Sequence, residues 1–455
     1  MINYIYQLEF KLFFSSKAAR VGLLILLISG FSSIYLGKSF IVKQRSVIEK
    51  AGKMQQEHLD ENVKYFSKDL GLLLFYNKFA IANVPDNWAA FANGQRDINP
   101  YLLSVTLLGL EGQMYDTDLN NPSTLLLGNM DLAFVFIFLF PLVIIAFTYS
   151  VLSAEQESGV WGLIRSQSKL PLRTIWRKLV VRVLVVFAVF MLLMFCAVIY
   201  LDLKPDLRFL VVLTLISLYL ICWFCISFWI ISYGKSSSFN AVCLIAIWVA
   251  MNIISPAILN VWLTKKYPVP EALENVVKQR EGYHEKWDLD KSATMDKFYQ
   301  HYPQFRQYPF PSSLTFSWYW YYAMQQMGDD DAALSSARIT EKLKQRQHFT
   351  NIASLFLPGI QTQAGLNELA GSDLQNHTDF LLTLRAYHEK MRLFFYPSVF
   401  KGSKVENINW KQFKIKQYSS HTDGLAWQKL LSLIVFSIVP ALSGVYNFSK
   451  RDSLL

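Results

Sequence analysis

The residues that could do chemistry are few and scattered. Cys222 and Cys225 have the spacing of a redox or metal pair, but apolar residues surround them and no second ligand pair lies nearby. A thiolate is costly there, so two small polarizable side chains packing in a helix is the plainer reading. All four cysteines, Cys196, Cys222, Cys225 and Cys243, sit in apolar runs, and the polar stretches hold none, so no disulfide framework can be read. His377 and His388 lie about three helical turns apart and could face one metal. Exposed or satisfied histidines are the simpler reading. Gly37-Lys38-Ser39 and Gly234-Lys235-Ser236 end like phosphate-binding loops, but Ser32 and Trp229 stand where the first glycine must be. Both fall at the ends of apolar runs, where lysine reaches out to lipid headgroups. No nucleophile elbow, metalloprotease spacing or zinc-finger spacing occurs. The sequence therefore gives no catalytic, cofactor or metal site.

The most informative stretch runs from Ser153 to Gln167, at the start of a polar connection that holds Glu155 through Arg182. Glu155 and Glu157 precede Gly159, and Val160, Trp161, Gly162, Leu163, Ile164 and Arg165 follow. Carboxylates favour a helix start because its free N–H groups carry partial positive charge. Val160, Trp161, Leu163 and Ile164 would form an apolar patch, and Pro171 ends the helix. Such a short amphipathic helix suits a groove on a partner. Two readings stand on the residues alone: a docking helix, or a solvated positive connector.

The elements that hold this stretch are apolar. Of 455 residues, 53% are hydrophobic and 17% charged, against roughly 25% charged in a soluble domain. Six runs carry no charge: 21–37, 132–154, 183–201, 209–234, 236–263 and 430–449. Each is about long enough to cross a hydrocarbon core of roughly 30 Å, and each must be helical because lipid offers the backbone no partner. The first run is too long and too late for a cleaved signal and is read as a retained span. None of the six contains Asp, Glu, Lys, Arg or His, which argues against a proton- or sodium-driven carrier and against a hydrolase buried in the membrane. Pro141, Pro256 and Pro440 fall inside spans two, five and six. They read equally as functional hinges and as ordinary kinks.

The fold class expected is an α-helical polytopic membrane protein, with six transmembrane helices and two mainly helical extracytoplasmic domains. An interfacial helix over 1–20 precedes span one at 21–41. The first polar domain covers 42–131, with a turn at Asn120-Asn121-Pro122. Span two covers 132–154, a loop 155–180, and spans three to five 181–264. The second polar domain covers 265–428, with helix-like segments at 333–357 and 374–395. Span six covers 429–449 and a tail 450–455. Arg165, Lys169, Arg173, Arg177, Lys178 and Arg182 crowd the loop after span two. Lys235, Lys450, Arg451 and the N-terminal Lys11, Lys17 and Arg20 fall on the same side, which the positive-inside rule places in the cytoplasm. The net charge of +10 follows from these loops. Nothing resembles a nucleic-acid module.

The loop resembles that of the ABC type-2 transporter permeases. Their acidic pair, glycine, short coupling helix, basic turn and lysine opening the next span match Glu155, Glu157, Gly159, the 160–167 helix, Arg173 and Lys178. The family usually has threonine after the glycine, where this chain has Val160. Two further stretches are similar to a large-ectodomain branch related to the NosY-type permeases. One is Asn121-Pro122 to Gly128 with Asp131 to Val135 and Pro141-Leu142. The other is Leu366 to Gly371 with Asp373, His377, Phe380 and Tyr387 to Arg392. The resemblance spans nearly the whole chain. It implies a permease subunit of the bacterial inner membrane that works as an exporter, driven by a separate ATPase subunit that binds ATP and magnesium. A second permease copy or a similar permease would pair with it, with spans two and five at the interface. Two alternatives remain: an ATP-driven mechanotransmitter acting on an outer partner without transport, and a membrane scaffold or sensor.

Overall fold

The computed structural model describes residues 2–115, 129–167, 171–269, 277, 285–310, 316–420 and 427–453. The turn expected at 120–122, and the stretch 121–128 that carries part of the resemblance, lie outside the described residues. Six helical segments are long and apolar enough to cross a membrane: Lys17–Tyr65, Leu132–Glu157, Leu172–Leu201, Leu207–Ser232, Ser237–Lys266 and Lys429–Lys450. This is the architecture of a multi-pass helical membrane protein, and the six coincide with the six uncharged runs. Helix is the only open-ended structure that satisfies its own backbone in lipid.

Span one does not stop at the edge of its apolar run. Its helix continues without a break through Lys17–Tyr65, 49 residues, about twice the length a bilayer core requires. The polar extension is anchored by Gln55. Its Oε1 accepts from Ala80 N at 2.7 Å and its Nε2 donates to the Phe413 carbonyl at 2.8 Å. Ala80 belongs to β1 (Phe79–Asn83), the middle strand of a three-stranded sheet. Strand β2 (Leu102–Val105) pairs antiparallel with it, and β3 (Lys416–Tyr418) pairs parallel, with Ile81 opposite Lys416. The two long polar stretches thus meet in one sheet.

They also share a core. Leu59, Leu70, Leu73 and Phe79 from the first stretch pack with Phe298, Trp320, Tyr322, Phe395 and Trp410 from the second. Arg392 and His388 are buried at the seam. Arg392 pairs with Asp329 at 2.8 Å and donates to the carbonyls of Leu107 and Leu108 at 3.2 and 2.7 Å. Asp329 in turn accepts from Leu110 N and Glu111 N, at 2.9 and 3.0 Å. His388 Nε2 meets the Thr106 carbonyl at 2.9 Å, so it must be the protonated nitrogen. Burial, with Arg392 beside it, pushes this imidazole well below its ordinary pKa. His388 is therefore a neutral structural donor. His377 lies elsewhere on the same helix, and burial with Arg96 nearby lowers it to about 4. Among the described residues no group of three or more His, Cys, Asp or Glu is placed to hold a metal.

The helix expected over 333–357 begins much earlier, at Trp318, and runs to Ser354. That expected over 374–395 runs from Leu374 to Phe400 and carries Pro397 inside it. Aromatic residues 318–322 and the Gly328-Asp329-Asp330-Asp331 run obscure the first turns, because neither has a clean helical period.

The prolines in the spans have a common surrounding. Proline cannot donate to the carbonyl four residues back. Pro141 thereby frees Ile137 O, and a π-helical stretch, Val135–Leu139, precedes it. The Tyr219 hydroxyl from span four donates to that carbonyl at 2.9 Å. Pro256 follows a second π-helical stretch, Ala250–Ile254, whose Asn252 Oδ1 lies 3.3 Å from the same hydroxyl. Pro440 frees Phe436 O, which lies 3.6 Å from Cys222 Sγ, also on span four. Span four is thus the post against which spans two, five and six bend, and Cys222 caps a freed carbonyl there. Span two is enclosed, with 67% of its apolar window buried, against 11% for span five. Span five, rather than span two, keeps a broad open face.

Candidate functional site: the loop between spans two and three

Span two ends in a turn and a short helix, Ser153–Glu157. Gly159 then takes φ +75°, with its N–H on the Gln156 carbonyl at 3.1 Å. Glycine reaches this left-handed conformation without strain, so it can close one helix and redirect the chain. A new helix, Val160–Gln167, starts immediately. The following helix begins at Pro171 and carries span three. The helix expected over 160–167 coincides with the structure, whereas Glu155 and Glu157, expected at its start, belong to the preceding helix because Gly159 redirects the chain after them.

The acidic pair faces the bundle rather than outward. Glu155 forms a half-buried ion pair with Lys178, at the start of span three. Glu157 reaches span five instead. Its Oε1 accepts from Ser237 N at 2.7 Å and its Oε2 from Ser237 Oγ at 2.9 Å. Ser237 is the first residue of its helix, so the carboxylate sits where the free N–H groups favour an anion. Ser153 Oγ lies 2.8 Å from Ser237 Oγ, and Asn240 Nδ2 donates to the Tyr149 carbonyl at 3.1 Å. These bonds tie the loop to span five at several points.

The helix itself splits into two faces. Trp161 turns inward and meets Phe448 of span six edge-on, with ring centroids 6.2 Å apart. It packs on a cluster made of Val151, Leu152, Ile175, Leu179, Phe228 and Ile231. Ile164 and Arg165 are half-buried. The outer face carries Val160, 41% exposed, and Leu163, 59% exposed, and no residue of the helix is buried. These two positions lie three apart, on one side of a helix. Leucine exposed to this extent on a short polar loop is not explained by the protein's own packing.

Of the residues singled out in the sequence, Val160 and Leu163 are thus open to a partner. Trp161 and both glutamates serve attachment. Sequence reasoning gave no role to Ser237, Ser153 and Phe448, which come from spans five, two and six. The serine run Ser236–Ser238 at the start of span five was a visible helix-start signal, but nothing in the sequence connected it to Glu157. The helix Ile2–Ser15 reaches the same end of the bundle: the Phe13 ring lies 5.0 Å from Phe147, edge-on, and under the Arg182 guanidinium at 5.8 Å. The N-terminal helix, this loop, the Ser237 turn and the end of span six therefore share one end, and the sheet and its core lie at the other.

Residues 273–419 match a family model described as a domain of unknown function, DUF3526. The match falls wholly in the second long polar stretch and includes Arg392 and His388. It reaches neither the spans nor the loop helix. No curated protein matches the chain, and no solved structure does.

Proposed function

We propose that this chain is the permease subunit of an ABC transporter of the bacterial inner membrane, working as an exporter with a separate ATPase subunit and a second permease. The observation that carries the reading is the helix Val160–Gln167. Its Val160 and Leu163 side is open, while its other side and its approach are fastened to spans three, five and six through Glu155, Glu157 and Trp161. A partner that grips the open side moves several spans at once. ATP and magnesium belong to that partner, and the loop end of the bundle faces the cytoplasm.

A second reading is favoured by one further feature. The helix Lys17–Tyr65 runs from the bundle into the outer body, where Gln55 is bonded to both Ala80 and Phe413. A rotation of span one would be delivered to the sheet directly. Force could then act on an outer partner with nothing crossing the membrane.

Both readings require the loop helix in the cytoplasm. Leu163→Cys tests this with a membrane-impermeant maleimide, since the four native cysteines all lie within spans. Labelling is expected only after the cells are permeabilised. Equal labelling of intact cells would place the helix outside and end both readings.

A further inference from the structure

At the outer end of span five lies a cavity of about 670 Å³, within the roughly 300–1,000 Å³ range of small-molecule sites. One wall is span five from Asn252 to Leu263, and the others are the extramembrane helices Trp318–Ser354 and Pro358–Ala370. Phe138, Leu259 and Leu263 give it an apolar side, and Asn252, Arg346 and Asn367 a polar one. Ile258 and Val261, elsewhere on the same turns of span five, are 64% and 66% exposed, so the cavity lies beside a lipid-facing surface.

Two details mark it as a built site. Asn252 is only 7% exposed, on the π-helical stretch Ala250–Ile254, a widened backbone of the kind that recurs at functional positions. Gly359 lies against it, and a Cβ there would come within 2.4 Å of Asn252 Oδ1. Any side chain at 359 would displace the amide that the cavity presents. The walls are also held in place: Trp262 stacks on Phe349 with centroids 4.0 Å apart, and Arg346 Nε donates to the Tyr267 carbonyl at 2.9 Å.

We infer that this cavity binds a membrane lipid, its acyl chain along Phe138, Leu259 and Leu263 and its headgroup on the amides of Asn252 and Asn367 and the guanidinium of Arg346. A wholly polar solute would leave the apolar wall wet, and a hydrocarbon would lie against the polar wall of Arg346 and Asn367 without engaging it. The lipid is cargo if the chain is an exporter, and this assignment rests on that reading; the binding itself does not. An occupant here also lies against the π-helical stretch before Pro256, where span five bends.

The test uses the full chain in lipid nanodiscs containing phosphatidylethanolamine with a photoactivatable acyl chain. Cross-links are expected to concentrate on residues 252–263 and 343–367. Ala364→Trp, which fills the cavity, should cut that labelling about fivefold or more, and Thr350→Trp on the opposite wall should do the same. Ile258→Trp, on the lipid-facing side, should leave it unchanged. Thermal melting of each variant identifies any that fails to fold. Labelling spread evenly over exposed span positions such as Phe195 and Leu442, and indifferent to both cavity-filling variants, would overturn the assignment. Leu163→Asp should label like the wild type, so loss of the lipid site and loss of coupling are separable results.

Discussion

Replacing Leu163 with aspartate is expected to lower partner-stimulated ATP hydrolysis by about tenfold or more, a change of roughly 1.4 kcal/mol or greater in association. Burying a leucine in a groove contributes about 1.5–3 kcal/mol, and a carboxylate forced into the same groove adds a desolvation cost. Either effect alone is large enough. The substitution should not unfold the chain, because Leu163 is 59% exposed and supports nothing within it; exposed substitutions of this kind stay within about 0.5 kcal/mol. Val160→Asp, on the same face, should act in the same direction. Hydrolysis at the wild-type rate by Leu163→Asp at limiting partner concentration would remove the docking face. The sequence alone offers Trp161 and the two glutamates as equal targets for substitution. Those changes weaken the attachment of the loop to the spans, so a loss of activity from them would not distinguish docking from loosening.

The second large effect is expected in the body that the two long polar stretches form around the sheet. Arg392→Met should destabilise it by about 3–5 kcal/mol, the usual result of removing one member of a buried ion pair. Arg392 is 2% exposed and joins its own helix to two other segments: Asp329 and Gln326 of the helix Trp318–Ser354, and the carbonyls of Leu107 and Leu108. Its loss strands a carboxylate whose remaining donors are two backbone N–H groups. Asp329→Asn in the Arg392→Met background should recover part of the loss, because the stranded charge is then gone. For a body of this size the single change corresponds to a melting shift of about 10 °C, readable by tryptophan fluorescence. A shift of less than about 2 °C would show that the pair does not organise the seam.

The parts that were legible in the sequence are those governed by local rules. Six uncharged runs became six span helices because a backbone in lipid has few alternatives. The loop helix was legible from Gly159 and the apolar residues Val160 to Ile164 after it, but not from the carboxylates, which lie in the preceding helix. Good helix formers over Gln44 to Leu70 were legible too, but their unbroken continuation from span one was not. Composition changes at the bilayer edge, but the helix rule does not, and neither Gly37 nor Gly52 stops a helix whose flanking turns all continue. The inward turn of Glu157 was not legible either, since its partner, Ser237, lies 80 residues on. The strands escaped notice for a related reason. Each is short, and β3, Lys416-Gln417-Tyr418, has no apolar alternation of its own and exists by pairing with β1. Cys222 and Cys225 looked like a pair by spacing, whereas Cys222 is instead aimed at the carbonyl that Pro440 releases. The bends at Pro141 and Pro256 could be placed from the sequence, but not their shared contact, Tyr219, which only the fold brings to both.

The central claim is that the power for this protein arrives through the Val160–Leu163 face from a nucleotide-driven subunit. Isolation of the full chain from its native membrane in mild detergent, followed by an ATP hydrolysis assay, tests it most directly. The expected result is a co-purifying ATPase whose activity follows the complex and is lost from preparations of Leu163→Asp. A chain recovered intact with its membrane partners, but with no ATP-hydrolysing subunit at any stage, would contradict it.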